Sequence, residues 1–84
     1  MQKGQTMSHI PLIDIKKEYR LTAGSPHPIT ISHSGRCDIC RLEEQREIYD
    51  ARTISGQWGW ICKFCFASMG IGLGIGKGQK YERI

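Results

Sequence analysis

Two stretches, Cys37-Asp-Ile-Cys40 and Cys62-Lys-Phe-Cys65, decide how this chain folds. Each is a C-x₂-C pair, and Arg41 to Ile61 lie between them. A two-residue gap lets the backbone curl so that both sulfurs reach one ion. Two such pairs are the spacing of a closed, tetrahedral Cys₄ zinc site with Zn–S bonds of about 2.3 Å. Cys37, Cys40, Cys62 and Cys65 are therefore the expected ligands of one structural Zn²⁺. Four cysteines leave no open position for water or substrate, so the site is not of the catalytic type. The rival readings are weaker. Disulfides need an oxidising compartment, and nothing in the sequence points to one. A redox C-x₂-C acts alone, usually beside a βαβ pattern that this chain lacks. A rubredoxin-type iron site shares the ligands, but its knuckles usually carry Pro and Gly, and neither pair here does.

The residues between and after the pairs set the architecture. Arg46 to Ile54 reads as a strand, Ser55-Gly56-Gln57 as a turn, and Trp58 to Cys62 as the returning strand of a hairpin. Arg41 to Glu47 is rich in helix formers, so a helical turn before the first strand is the rival there. Arg41 itself stands where a zinc knuckle often has Gly. Beyond the hairpin, Phe64 to Met69 is expected as a short helix carrying Cys65, with Gly70 as its C-cap. Knuckle, hairpin, then a helix bearing the second pair is the order of a treble clef. The expected fold is thus a small zinc-stabilised α+β domain of treble-clef type with an N-terminal arm. A zinc ribbon, with a second knuckle and no helix, is the runner-up.

Size agrees with a metal staple. The chain has 84 residues, 39% of them hydrophobic and 8% aromatic. So short a chain buries only about 60–65% of its unfolded surface, and thin cores of this size usually need disulfides, a metal or a partner. No apolar run approaches the roughly 20 residues that cross a bilayer. Met1 to Ile10 has no apolar core of a signal peptide, so a cytoplasmic location is expected, that of a host cell if the chain is phage-encoded. The formal net charge is +4. It is distributed as +3 over residues 1–36, −1 over residues 37–66 and +2 over residues 67–84. Four thiolates on one Zn²⁺ lower the total to about +2. A near-neutral centre between basic ends suits nucleic acid or an acidic protein surface.

Three segments follow from this. Residues 1–8 are polar and expected to be disordered. Residues 9–36 are expected as an arm with short strands: apolar Ile10 to Ile15, then Lys16 to Leu21 as a strand or a helical turn. A loop follows through Gly24, Pro26 and Pro28, and Ile29 to His33 alternates like a strand. Residues 37–84 form the four-cysteine module with a glycine-rich basic tail. His33 lies four residues before Cys37 and could replace a ligand, but an exposed loop or strand histidine is the expected reading, as it is for His9 and His27.

In the tail, Gly70, Gly72, Gly74, Gly76 and Gly78 occupy every second position, with Ile71, Leu73 and Ile75 between them. An extended strand would put all five glycines on one bare side and the three apolar residues on the other. Neither the P-loop nor the dinucleotide fingerprint fits: Gly76-Lys77 is followed by Gly78, and Gly70-Ile-Gly72 is followed two residues on by Gly74 and then Ile75. Lys77, Lys80 and Arg83 surround Tyr81, which is the charge-plus-ring composition that single-stranded nucleic acid uses.

The run from Arg52 to Phe66, with Gly-Gln-Trp58, Cys62-Lys-Phe-Cys65 and the tail Gly70-Ile-Gly-Leu-Gly-Ile-Gly-Lys-Gly-Gln-Lys-Tyr81, resembles small zinc-finger-like proteins common in bacteriophage genomes. The resemblance covers about Cys37 to Tyr81. It implies a phage origin and a metal site, and it implies no activity. No nucleophile–base pair or carboxylate dyad is visible, so a non-enzymatic binding module is expected, with no small-molecule substrate and no membrane. Its first expected partner is nucleic acid or nucleic-acid machinery, met by Lys63, Lys77, Lys80 and Arg83 at phosphates and by Trp58 and Tyr81 through stacking. The alternative is an adaptor or inhibitor that binds a host protein through the tryptophan hairpin, the glycine-rich strand or the arm.

Overall fold

A computed structural model describes residues 16–84. The expectations for residues 1–8, for His9 and for Ile10 to Ile15 lie outside the described residues. Five strands and one helix follow in the order β1 (Lys17–Ala23), β2 (Thr30–His33), β3 (Glu47–Arg52), β4 (Trp58–Cys62), α1 (Lys63–Met69) and β5 (Gly78–Arg83). The strands form one antiparallel sheet in the order β2-β1-β5-β3-β4. The expected hairpin is present, and Thr53 to Gln57 close it: the Thr53 N–H donates to Gln57 O at 2.8 Å, and Gly56 takes φ +94°. Residues 17–33, expected as part of an arm, supply two of the five strands, because β1 lies directly against β5.

The sheet is curled. β2 and β4 are its opposite edges, and strands stack about 4.8 Å apart, so a flat sheet would hold them roughly 19 Å from each other. Yet His33 of β2 and Trp60 of β4 are in ring contact, with centroids 4.6 Å apart. The chain between β2 and β3 ties the two edges together. Asp38 donates its backbone N–H to Trp60 O at 2.8 Å and accepts the Trp60 N–H on Oδ2 at 2.8 Å. That blunts part of the exposed β4 edge, which would otherwise offer unpaired backbone groups.

Strand alternation gives the sheet two apolar faces. On the concave side Tyr19, Leu21, Ile48 and Tyr81 are buried, with Ile31 and Trp60 packed against them. The Tyr19 hydroxyl donates to Gln45 O and so pins the loop that precedes β3. On the other side Tyr49, Ala51 and Ile61 pack with Cys37, Cys62 and Cys65, and Phe66 and Met69 of α1 rest on them. Phe66 stacks on Tyr49 at 4.1 Å with the rings nearly parallel. This offset-type aromatic pairing adds about 1 kcal/mol beyond simple burial.

Two local expectations are corrected. Arg41 to Glu47 contains no helical turn. Arg41 (φ +68°) and Glu44 (φ +55°) are left-handed and interrupt any helix. The glycine-rich tail is not an extended strand. Gly72, Gly74 and Gly76 have φ of +126°, +125° and +81°, so the backbone reverses repeatedly and β5 begins only at Gly78. The turn is closed by Gly78 N–H to Gly74 O and Gly74 N–H to Gly78 O, both 2.9 Å. Ile71 and Leu73 consequently remain on the surface, and Ile75 is 86% exposed. Gly78 is different: it is buried, and a Cβ there would lie 2.9 Å from the Ala51 Cβ. Close strand packing requires that glycine.

Candidate metal centre

The four cysteines converge. Cys37 and Cys40 come from the turn before β3, Cys62 ends β4, and Cys65 lies in the first turn of α1. Their Sγ atoms all lie within 4.8 Å of one another. A tetrahedron with bonds of about 2.3 Å has S···S edges of about 3.8 Å. The Cys40–Cys62 edge is already 3.6 Å, so one ion fits with small adjustments of the remaining sulfurs. All four thiols are free. Cys37, Cys62 and Cys65 are buried and Cys40 is exposed, so the centre sits at the surface with one ligand facing solvent. The all-sulfur donor set is that of zinc or of iron–sulfur chemistry, not of magnesium or calcium.

Backbone amides complete the arrangement. Ile39 N–H and Cys40 N–H both donate to Cys37 Sγ at 3.4 Å, and Cys65 N–H donates to Cys62 Sγ at 3.5 Å. Cys62 thereby caps the helix. Such outer donors orient metal ligands and stabilise thiolate charge. Arg41 N–H donates to Cys37 O at 3.1 Å, and the left-handed conformation of Arg41 turns Leu42 O back to accept Cys37 N–H at 2.8 Å. The position where a knuckle often has Gly does take a glycine-like conformation here. Gly70 ends α1 with its N–H on Phe66 O at 2.8 Å. It is extended (φ −73°, ψ 154°) instead of left-handed.

The metal-free thiols are strongly unequal. Burial works to raise Cys37, but amide donors from Cys40, Cys62 and Ile39 outweigh it and hold the thiol at about 6. Cys65 is pushed up to about 12, first by burial and then by hydrogen bonding to the other three cysteines. The Leu42 amide works to lower Cys40, but burial and hydrogen bonding to Cys37 and Cys62 together outweigh it, and the thiol is raised. Cys37 is thus the thiolate around which the other sulfurs gather.

The residues expected to bind a partner do not all come together. Trp58 is half exposed, at 51%. Lys77 is exposed in the turn before β5. Tyr81 is only 6% exposed, packed against Trp60 in the concave core, so its ring is not free to stack on a base. Lys80 is engaged by Glu82 at 3.1 Å and by Glu47 at 3.9 Å. Lys63 opens α1 beside a hollow of about 360 Å³ that it shares with Glu44, Arg46, Glu47 and Phe64, a setting of mixed charge. Arg83 is half-buried at the far end of β5. Two residues were missed. Asp38 ties the knuckle to β4, and Arg52 is the cross-strand partner of Trp58. The hairpin register held the signal for Arg52.

Compared with models of known protein families, with curated proteins and with solved structures, the chain matches none. Fold and site together define a small α+β protein with a curled antiparallel sheet and a four-cysteine cluster at metal-binding distance. No helix among the described residues is long and apolar enough to cross a membrane.

Proposed function

We propose that this chain is a non-enzymatic, zinc-stapled binding module of treble-clef type that contacts nucleic acid. The convergence of four sulfurs from a knuckle, a strand end and a helix start carries the metal half of this reading. The element order of knuckle, hairpin and helix supports the treble clef. Zinc is favoured over iron because the knuckles lack the Pro and Gly usual in rubredoxin-type sites. Supporting the partner half, Arg52 and Lys77 are exposed and engaged by no ion pair among the described residues. Unpaired surface cations attract phosphates over a Debye length of about 10 Å.

Native mass spectrometry before and after chelation, with circular dichroism on both samples, tests the metal. One zinc per chain and loss of fold on chelation are expected. A metal-free, folded protein would overturn the module. A second reading, a protein-binding adaptor, is favoured by the exposed Ile54 and Ile75 at one end of the sheet. Salt separates the two, since phosphate-driven binding weakens steeply as salt rises and an apolar interface does not.

A further inference from the structure

Resting on the nucleic-acid reading above, the geometry points to one row at the end of the curled sheet, Trp58–Arg52–Lys77, as a site for single-stranded nucleic acid. Trp58 stacks a base, and Arg52 and Lys77 hold the flanking phosphates. Three observations place these residues together. Arg52 and Trp58 are register partners of the hairpin. The backbone of Arg52 is turned away from Trp58: its N–H donates to Lys77 O at 2.9 Å and its carbonyl accepts from Ile71 N–H at 3.3 Å. Arg52 and Trp58 are therefore a non-hydrogen-bonded pair, the closer kind, with Cα atoms about 4.5 Å apart. The same Arg52 N–H bond sets Lys77 directly beside Arg52 on its other flank.

Chemistry favours a single strand. All three side chains are exposed, and no ion pair engages Arg52 or Lys77 among the described residues. Two acids lie near the row: Asp50 is half-buried one register position inward, and Asp38, at the β4 edge beside Trp58, has its Oδ2 engaged by the Trp60 N–H at 2.8 Å. Stacking needs an unstacked base, which a single strand offers and a duplex does not. The major groove of a duplex is read by a helix or a free two-stranded ribbon, whereas α1 has seven residues with its Phe66 committed to Tyr49 and the β3–β4 hairpin is joined to β5. An anionic bilayer is the competing polyanion, since Ile54, Ile71, Leu73 and Ile75 are exposed on the adjoining turns. The ring of Trp58 directly beside its register-paired cation favours a base between phosphates, and the vesicle arm of the test decides.

The test uses the metal-loaded full chain and a labelled oligo-dT dodecamer, followed by anisotropy from about 50 to 200 mM salt, where phosphate contacts dominate the change in affinity. A hairpin duplex of equal length and phosphatidylserine vesicles are the comparisons. Oligo-dT is expected to bind, more tightly than the duplex. Trp58→Ala should weaken it about 5- to 100-fold, and Trp58→Phe should restore most of the loss. Arg52→Gln and Lys77→Gln should each reduce the salt slope by about 0.7, the single-strand value per phosphate. Arg20→Gln, an exposed cation on β1 outside the row, should leave the slope unchanged. Metal content and thermal midpoint confirm that each variant is folded. Variants of the row that bind oligo-dT like the parent would overturn this site and leave the nucleic-acid reading standing. A parent that binds neither oligonucleotide nor duplex at the lowest salt would overturn both. Vesicle binding without oligonucleotide binding would overturn both in favour of a lipid surface.

Discussion

Arg41 shows how much of a metal knuckle is decided by one dihedral angle. Its N–H donates to Cys37 O, and its φ of +68° turns the chain back so that Leu42 O accepts the Cys37 N–H, which closes the turn that carries two of the four sulfurs. A side chain in the left-handed region costs about 1–2 kcal/mol, and glycine avoids that cost. Arg41→Gly should therefore raise the stability of the metal-loaded protein by about 1 kcal/mol, part of the gain being offset by the greater entropy of glycine in the unfolded chain. Chemical denaturation at constant zinc measures it, and a lower midpoint would show that the arginine side chain makes a contribution of its own. Asp38 acts at the same scale with the opposite sign. Its Oδ2 takes the outward N–H of Trp60 at 2.8 Å. Asp38→Ala leaves that edge group to water and should cost about 1 kcal/mol. Asp38→Asn, which keeps an acceptor, should recover much of the loss, and both shifts are read from the same denaturation curves.

At the scale of elements, the hairpin and the helix were legible and the tail was not. The β3–β4 pair could be read because its alternation, its turn and its cysteine at the end all lie within one local stretch. The helix could be read because Cys65 must sit three residues beyond Cys62. The tail misled because alternation of glycine with isoleucine has the period of a strand, while glycine also opens positive φ. Here the second property won at Gly72, Gly74 and Gly76. Gly74→Val should therefore do harm through backbone strain. Nothing lies within 4 Å of a Cβ at Gly74, so no packed face is lost. Its φ of +125°, however, is one that valine rarely adopts, and forcing it costs about 1–3 kcal/mol. Even Gly74→Ala should therefore destabilise the turn, and a thermal midpoint that stays in place for both variants would contradict the strained-turn account. Tyr81 was misassigned for a related reason. Its basic neighbours suggested an open ring, but strand alternation turns it into the concave core while Lys80 faces the opposite side.

Across the whole molecule, long-range pairing was the part hidden from sequence: β1 meets β5 some 60 residues later, with Tyr19 opposite Arg83, and the curl rests on His33 meeting Trp60. No local pattern announces such contacts. The cysteines were legible because their paired spacing suits one ion, and a metal held by them would couple the fold to pH. Metal binds thiolates only, so uptake expels whatever protons the four sulfurs hold. Near neutrality Cys37, held at about 6, is mostly ionised, whereas Cys65, pushed up to about 12, and Cys40, also raised, are protonated. The metal-free state therefore binds more protons than the loaded state, and linkage requires the loaded, folded state to gain as pH rises and to lose as pH falls. Below about pH 6 Cys37 takes up a proton as well, so the loss steepens there. Titration with zinc in buffers of different ionisation enthalpy should show protons released at pH 7, with the number rising as the pH is lowered through 6. Cys40→Ser removes one of the protonated ligands. It should reduce the proton count together with zinc affinity, and it should lower the zinc-dependent part of stability in step, because bound metal stabilises only the folded state. Zinc uptake without proton release would mean that these thiols are not the ligands.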